Sequence, residues 1–261
     1  MNRPTRASVE GRVYLALQNL ARRTGRPNAE LQQLYVLEGF LARLSTSEFR
    51  DRFVLKGGVL LAAFESRRPT RDLDFQATAM PNAIDALIQV VQWIARVEIA
   101  DGLVFDADSA EGHSIRDEDD YQGVRVSMAA SLAKAKLAFH VDVNFGDPIW
   151  PAPANVELPR ILGGNPIELR GYPIHMVLAE KLVTSVDRGV ANTRWRDFGD
   201  MWVLSGRHRV DGAHLMRALG EVARYRSVEL RPWLIVLDGY AHGWAGIATM
   251  APSPRCTSPS C

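Results

Sequence analysis

Residues 53–77, FVLKGGVLLAAFESRRPTRDLDFQA, limit the possible folds more than any other stretch of the chain. Phe53 to Lys56 reads as a short strand, Gly57-Gly58 as a tight turn, and the apolar run to Phe64 as a helix. RDLDFQA, residues 71–77, then alternates as a strand does. Strand, turn, helix and strand in so short a span point to a mixed αβ core.

The flanks extend that core. Residues 8–24 and 28–46 read as amphipathic helices, the second with Leu31, Leu34, Leu37, Phe40, Leu41 and Leu44 at helical spacing and Asn28 as a candidate cap. Residues 81–98 read as a helix with Pro81 in its first turn. Strands are expected at 102–106, 122–130 and 135–145. In the last, Leu137, Phe139, Val141, Val143 and Phe145 share one face, and His140, Asp142 and Asn144 share the other. Residues 146–172, rich in Pro and Gly, read as a long connection. Helices are expected at 173–188, 195–206, 211–224 and 226–241. The expected fold is α+β: a mixed-sheet core over residues 1–170 that includes N-terminal helices, a helical domain at 171–250, and a disordered tail at 251–261.

Composition excludes several classes. No apolar run reaches the roughly 18 residues that a membrane span needs. No apolar segment follows the charged N-terminus, so a secretory signal is not expected. Both cysteines, Cys256 and Cys261, lie in the last six residues, which excludes a disulfide framework and suits the cytoplasm. The net charge of +1 carries no global nucleic-acid signature. Of the 31 basic residues only Lys56, Lys134, Lys136 and Lys181 are lysine, so each lysine invites a reason.

Asp72 and Asp74, at i and i+2 of a strand, project to one side, while Leu73 and Phe75 project to the other. Paired carboxylates repel unless a cation lies between them, and a divalent ion such as Mg²⁺ or Mn²⁺ prefers such hard oxygen ligands. Two solvated acids on a strand edge would give the same pattern. The order of elements favours the metal. At a strand-to-helix turn, Gly57 and Gly58 would let a phosphate approach bare N–H groups, beside Lys56. A phosphate cradle one short helix before a carboxylate pair is the order that nucleotide transfer needs. Asp142, on the polar face of its strand, would add a third carboxylate if the strands are neighbours; otherwise it faces solvent. Three acids can hold two ions about 3.5–4 Å apart.

A second cluster lies further on. Lys181 shares a helical stripe with Val177 and Leu178, so it needs an anionic partner, either a triphosphate or Asp197. A lysine snorkelling from the edge of the stripe would look the same. Asp197 and Asp200, spaced i and i+3, lie side by side on the next helix.

Together these residues resemble the AbiEii/AbiGii toxin family of the polymerase-β-like nucleotidyltransferase superfamily, the toxins of type IV toxin–antitoxin systems. Gly57-Gly58 with Arg68, Thr70, Asp72 and Asp74 match its first motif. HVDVNFGD matches its second strand, Ala179-Glu180-Lys181-Leu182 its A-E-K helix, and Arg194, Asp197 and Asp200 its closing Arg-x-x-Asp-x-x-Asp. The likeness runs from about residue 53 to 204. One departure is Gly58, where many members carry a serine hydroxyl. The resemblance implies catalytic roles for Asp72, Asp74, Lys181 and Asp197, supported by Asp142 and Asp200, with the metal on Asp72, Asp74 and Asp142. It implies nucleotide binding by Lys56, Gly57, Gly58, Thr70, Arg71 and Lys181. Asp197 is preferred over Asp200 as the base; Asp200 would orient Arg194 or Arg196.

The implied function is transfer of nucleotides from NTP to the 3′ end of tRNA, which blocks aminoacylation and translation. The implied partner is a separately encoded winged-helix antitoxin that forms no stable complex. Rivals are a transferase acting on a protein or small molecule, and a non-catalytic nucleotide-binding module. Arg67, Arg68 and Arg71, with Arg188, Arg194, Arg196, Arg207 and Arg209, could hold phosphates or an RNA backbone. Trp93, Trp150, Trp195 and Trp202 could stack on bases, though core packing is the usual fate of tryptophan. His140, His175 and His208 read as structural.

Overall fold

A computed structural model of the chain describes residues 5–116 and 122–230. The chain divides into two units, Met1–Pro173 and Ile174–Cys261.

The first unit is built on one seven-stranded mixed sheet. Its strands are β1 (Phe53–Lys56), β2 (Asp72–Ala77), β3 (Leu103–Arg116), β4 (Gln122–Leu132), β5 (Ala135–Phe145), β6 (Ala154–Leu158) and β7 (Ile167–Gly171), in the spatial order β3-β4-β5-β2-β1-β7-β6. β2 runs parallel to β5 and antiparallel to β1, and β4 runs antiparallel to β5. Among the described residues its longer helices are α1 (Val9–Thr24), α2 (Asn28–Thr46) and α4 (Ile84–Ala95). Between β1 and β2, α3 (Gly57–Leu60) is a single turn that passes into a 3₁₀ turn, Leu61–Phe64.

Alternation along the strands sorts the two faces. Phe53, Leu55, Leu73, Phe75, Val124, Val126, Phe139, Val141 and Val143 are all buried. So are all six apolar residues of the α2 stripe. Phe40 of α2 meets Phe139 of β5 at 5.4 Å between ring centroids, and both meet Phe105. Burying each such side chain contributes about 1.5–3 kcal/mol, which is what clamps α2 to the sheet. The other face is left to polar residues.

Several boundaries differ from expectation. Asn28 is the first residue of α2 and Pro27 precedes it, so Asn28 caps nothing; its buried Oδ1 has no hydrogen-bond partner. α4 begins at Ile84, leaving Pro81 outside it. β3 continues past residue 106 to Arg116, with a register shift between Asp106 and Glu111. The supposed connection at 146–172 holds β6 and β7, a hairpin whose β7 joins β1. Its Pro and Gly residues mark the turns and hide the short strands between them.

The second unit packs α5 (Ile174–Arg188) against α6 (Trp195–Arg207) and α7 (Gly212–Tyr225). Met176, Val177, Leu178, Ala179, Val183, Phe198, Met201, Leu204, Ala218, Val222 and Ala223 are its buried apolar residues. Asp211 caps α7, accepting from the His214 N–H at 2.8 Å. Of the helix expected at 226–241, residues 226–230 are described and are not helical; the remainder and the 251–261 tail lie outside the described residues. Among the described residues no helix is long and apolar enough to cross a membrane.

Candidate functional site

The polar face of the sheet carries a row of charges one residue deep. Arg125 on β4 pairs in register with Asp142 on β5, Asp142 with Asp74 on β2, and Asp74 with Lys56 on β1. Paired residues on adjacent strands point to the same face. The row therefore reads cation, carboxylate, carboxylate, cation. Asp72 lies on the same face one step along β2, in register with His140. Its charge acts on Asp74 and on Arg125.

Asp74 is the strained member. Burial, then the neighbouring Asp142 charge and, more weakly, Asp72, push its carboxyl up from 3.8 to about 6, against the opposing pull of Lys56 and of a hydrogen bond from the Gly58 N–H. Among the described residues neither Asp72 nor Asp74 takes part in an ion pair. The Gly57-Gly58 turn sits directly on this carboxylate. Gly57 has φ +68°, and a Cβ there would lie 1.9 Å from Asp74 Oδ2. Glycine is required twice over, for backbone conformation and for close approach. A Cβ on Gly58 would lie 3.2 Å from Thr70 Oγ1 and 3.3 Å from Arg68, so Thr70 and Arg68 also border the turn.

Asp142 is held differently. Arg125 grips it with both arms, Nε to Oδ1 at 2.7 Å and Nη2 to Oδ2 at 2.6 Å. This fork raises the already high pKa of the guanidinium further. Lys56 is buried and donates to Asp147 Oδ2 at 3.1 Å, with the Tyr172 ring 5.6 Å away. Lys56 thus ties β1 to the segment after β5 through Asp147. Arg71 is exposed beside Asp72. Arg67 instead serves the scaffold, bonding the buried Glu38 of α2 and the Pro159 carbonyl.

Donor chemistry on this face suits a hard divalent cation: carboxylate oxygens, two of them unpaired with any cation. Among the described residues, no three His, Cys, Asp or Glu side chains stand as a closed ligand set. Both oxygens of Asp142 are bonded by Arg125.

In the second unit, Lys181 of α5 donates to both acids of α6, to Asp197 Oδ1 and, at 2.9 Å, to Asp200 Oδ2. All three side chains are largely buried. One ammonium between two carboxylates cancels the repulsion that their i, i+3 spacing creates.

Arg125 and Asp147 escaped the sequence reading. Arg125 sits in Val-Arg-Val, which places it opposite two core valines. That signal gave its face; its register with Asp142 is non-local. The tryptophans also depart from the usual rule, with Trp93 45% and Trp202 61% exposed. His140 accepts or donates a 2.9 Å bond with Ser127 Oγ, and His175 stacks on His214 at 5.4 Å.

Comparison with known proteins follows the same line. The family model for the AbiEii nucleotidyl transferase toxins of type IV toxin–antitoxin systems matches residues 39–242. No curated protein matches the chain. Among solved structures, one from H. pylori with a nucleotidyltransferase assignment in its name is similar, with TM-score 0.50 and 18% identity over 81% of this chain and 80% of its own. JHP933 from Helicobacter pylori is similar with the same TM-score and identity, over 81% of this chain and 78% of its own. At that identity the likeness speaks for the fold.

Proposed function

The chain belongs to the AbiEii family of nucleotidyl transferase toxins of type IV toxin–antitoxin systems, and from that premise we propose that it transfers nucleotides from an NTP to RNA, at the 3′ end of tRNA, so that aminoacylation and translation stop. The observation that carries the reading is the in-register row of Arg125, Asp142, Asp74 and Lys56, with Asp72 beside it and the Gly57-Gly58 turn against Asp74.

In the reaction an acceptor hydroxyl attacks the α-phosphorus of the NTP, the bond to the β-phosphate oxygen breaks, and pyrophosphate leaves. Asp72 and Asp74 would hold Mg²⁺ or Mn²⁺, with Asp142 as a third ligand. When bound, the ion supplies charge neutralisation at the triphosphate and acidifies the acceptor hydroxyl. Gly57 and Gly58 would bring bare backbone up to the phosphate oxygens, the Gly58 N–H exchanging its bond to Asp74 for one to phosphate. Thr70 borders the turn, Arg71 would meet the phosphates from the exposed side, and Lys56 would add positive charge beside them. In the second unit Lys181 would meet phosphate, Asp197 would take the acceptor proton, and Asp200 would keep Lys181 in place. The antitoxin is proposed to be a separately encoded winged-helix protein that acts without a stable complex, and the site of action is the cytoplasm.

Incubating the chain with labelled NTPs, Mg²⁺ and total tRNA tests this. Label should enter tRNA and should fall by at least 10²-fold with Asp72→Ala, since a charge-stabilising group at the reacting phosphate is lost. Label on protein or on a small molecule, with none on RNA, would select a different acceptor. Label transfer unchanged by Asp72→Ala would remove the site.

A further inference from the structure

Arg125 stands in an unusual place for an arginine. Its Nε and Nη2 form a fork on an acid that the proposed chemistry wants for a cation. The acid is the more enclosed partner: the Asp142 side chain is 12% exposed and the Arg125 side chain 34%. The guanidinium therefore reaches in from the solvent side and covers the carboxylate. Asp72 and Asp74 also act on Arg125, so its charge lies within reach of the whole acid cluster.

A guanidinium fork matches a carboxylate and a phosphate equally well, because both offer two oxygens at similar spacing. A divalent cation arriving at Asp142 meets a positive charge already on both oxygens. That competition weakens cation binding while no nucleotide is present. A triphosphate changes the balance: it brings anionic oxygens that can take over the fork, freeing Asp142 at the moment the cation needs it.

Resting on the nucleotidyl-transfer reading above, we propose that Arg125 is a nucleotide-phosphate ligand that occupies Asp142 until the triphosphate arrives, making cation and nucleotide binding mutually dependent. The fork is the placeholder, and its exchange from carboxylate to phosphate is the coupling. By linkage the effect is reciprocal: nucleotide tightens the cation by the factor that the cation tightens the nucleotide.

The test uses the full chain, Mn²⁺, and the four α,β-methylene ribonucleoside triphosphates, which bind without being cleaved. Mn²⁺ binding is measured by paramagnetic resonance and analogue binding by calorimetry. Arg125→Gln should bind Mn²⁺ alone at least tenfold more tightly than the unaltered chain, and should bind the preferred analogue at saturating Mn²⁺ at least tenfold more weakly. Unchanged or weaker Mn²⁺ binding overturns the proposal, and so does unchanged analogue binding. Should Arg125→Gln not fold, Arg125→Lys, which keeps the charge and loses the fork, should move both affinities the same way by at least threefold; no movement overturns the proposal. Asp72→Asn separates the proposal from its premise. It should lose Mn²⁺ binding, and if it keeps the affinity of the unaltered chain, the cation reading itself falls and takes the proposal with it.

Discussion

Replacing Asp74 by Asn should make the metal-free protein more stable while ending its activity. The Asp74 carboxyl lies at about 6 in the folded chain against 3.8 ordinarily. Each pH unit of such a shift corresponds to about 1.4 kcal/mol, so holding Asp74 ionised at neutral pH costs the fold about 3 kcal/mol. Asn keeps the shape and can still accept from the Gly58 N–H, whose preference for the charged oxygen is already contained in the value of about 6. The net gain for Asp74→Asn is therefore about 3 kcal/mol at pH 7.5 in EDTA. The sign follows from the direction of the shift. A carboxyl raised on folding favours the folded state most below pH 3.8 and loses that advantage as pH climbs to about 6. The gain from Asn should therefore be near zero at pH 4, grow between pH 4 and 6, and level off above. Urea unfolding in EDTA at four pH values reads it directly. Mg²⁺ should then stabilise the unaltered chain and leave Asp74→Asn where it was. A variant no more stable than the parent at pH 7.5, or a gain independent of pH, would refute the reasoning.

Gly57→Ala should lose at least tenfold in NTP affinity and about 1–3 kcal/mol of stability, because φ +68° disfavours a Cβ and that Cβ would displace Asp74; isothermal calorimetry and urea unfolding check it. Gly58→Ser should fold and keep or raise label transfer, since its Cβ, at 3.2–3.3 Å from Thr70 and Arg68, asks only a few tenths of an ångström of two side-chain ends and its hydroxyl adds a donor toward phosphate. Lys181→Met should destabilise the second unit by about 3 kcal/mol, because it removes the ammonium that bonds the largely buried carboxylates of both Asp197 and Asp200. Adding Asp200→Asn to Lys181→Met should recover part of that loss in the same unfolding assay.

What the sequence made legible was local. The alternation of residues 71–77 and 135–145 gave the faces of Asp72, Asp74 and Asp142 without any structure, because a strand's period leaves only two choices. The stripe of α2 was equally plain: Leu31, Leu37 and Leu41 recur at helical spacing and are fully buried. Hidden features depended on partners distant in the chain. Arg125 meets Asp142 only because β4 and β5 pair in one register of several. Lys56 meets Asp147 across 91 residues. β6 and β7 are five residues each, too short for a period to declare itself amid Pro and Gly. β3 beyond residue 106 is half exposed and carries Asp, Ser, Glu and His, so its pattern reads as loop, although its ladder to β4 holds it as strand.

The charge row also explains why an acidic site can sit in a chain of nearly neutral net charge. Each end of the row is closed by a bonded pair, Arg125 with Asp142 and Lys56 with Asp147. Asp74 within the row and Asp72 beside it take part in no ion pair among the described residues, and the burial of Asp74 with its repulsion from Asp142 and Asp72 is the part of the local energy that the fold leaves unresolved. Apolar packing from α2 beneath the sheet holds the strands in register against that repulsion, since a slip of one residue would turn Leu73 and Phe75 out of the core. The same core contacts that fix the fold therefore hold Asp72 and Asp74 together, and a cation bound there as proposed would relieve a strain that the hydrophobic face has imposed.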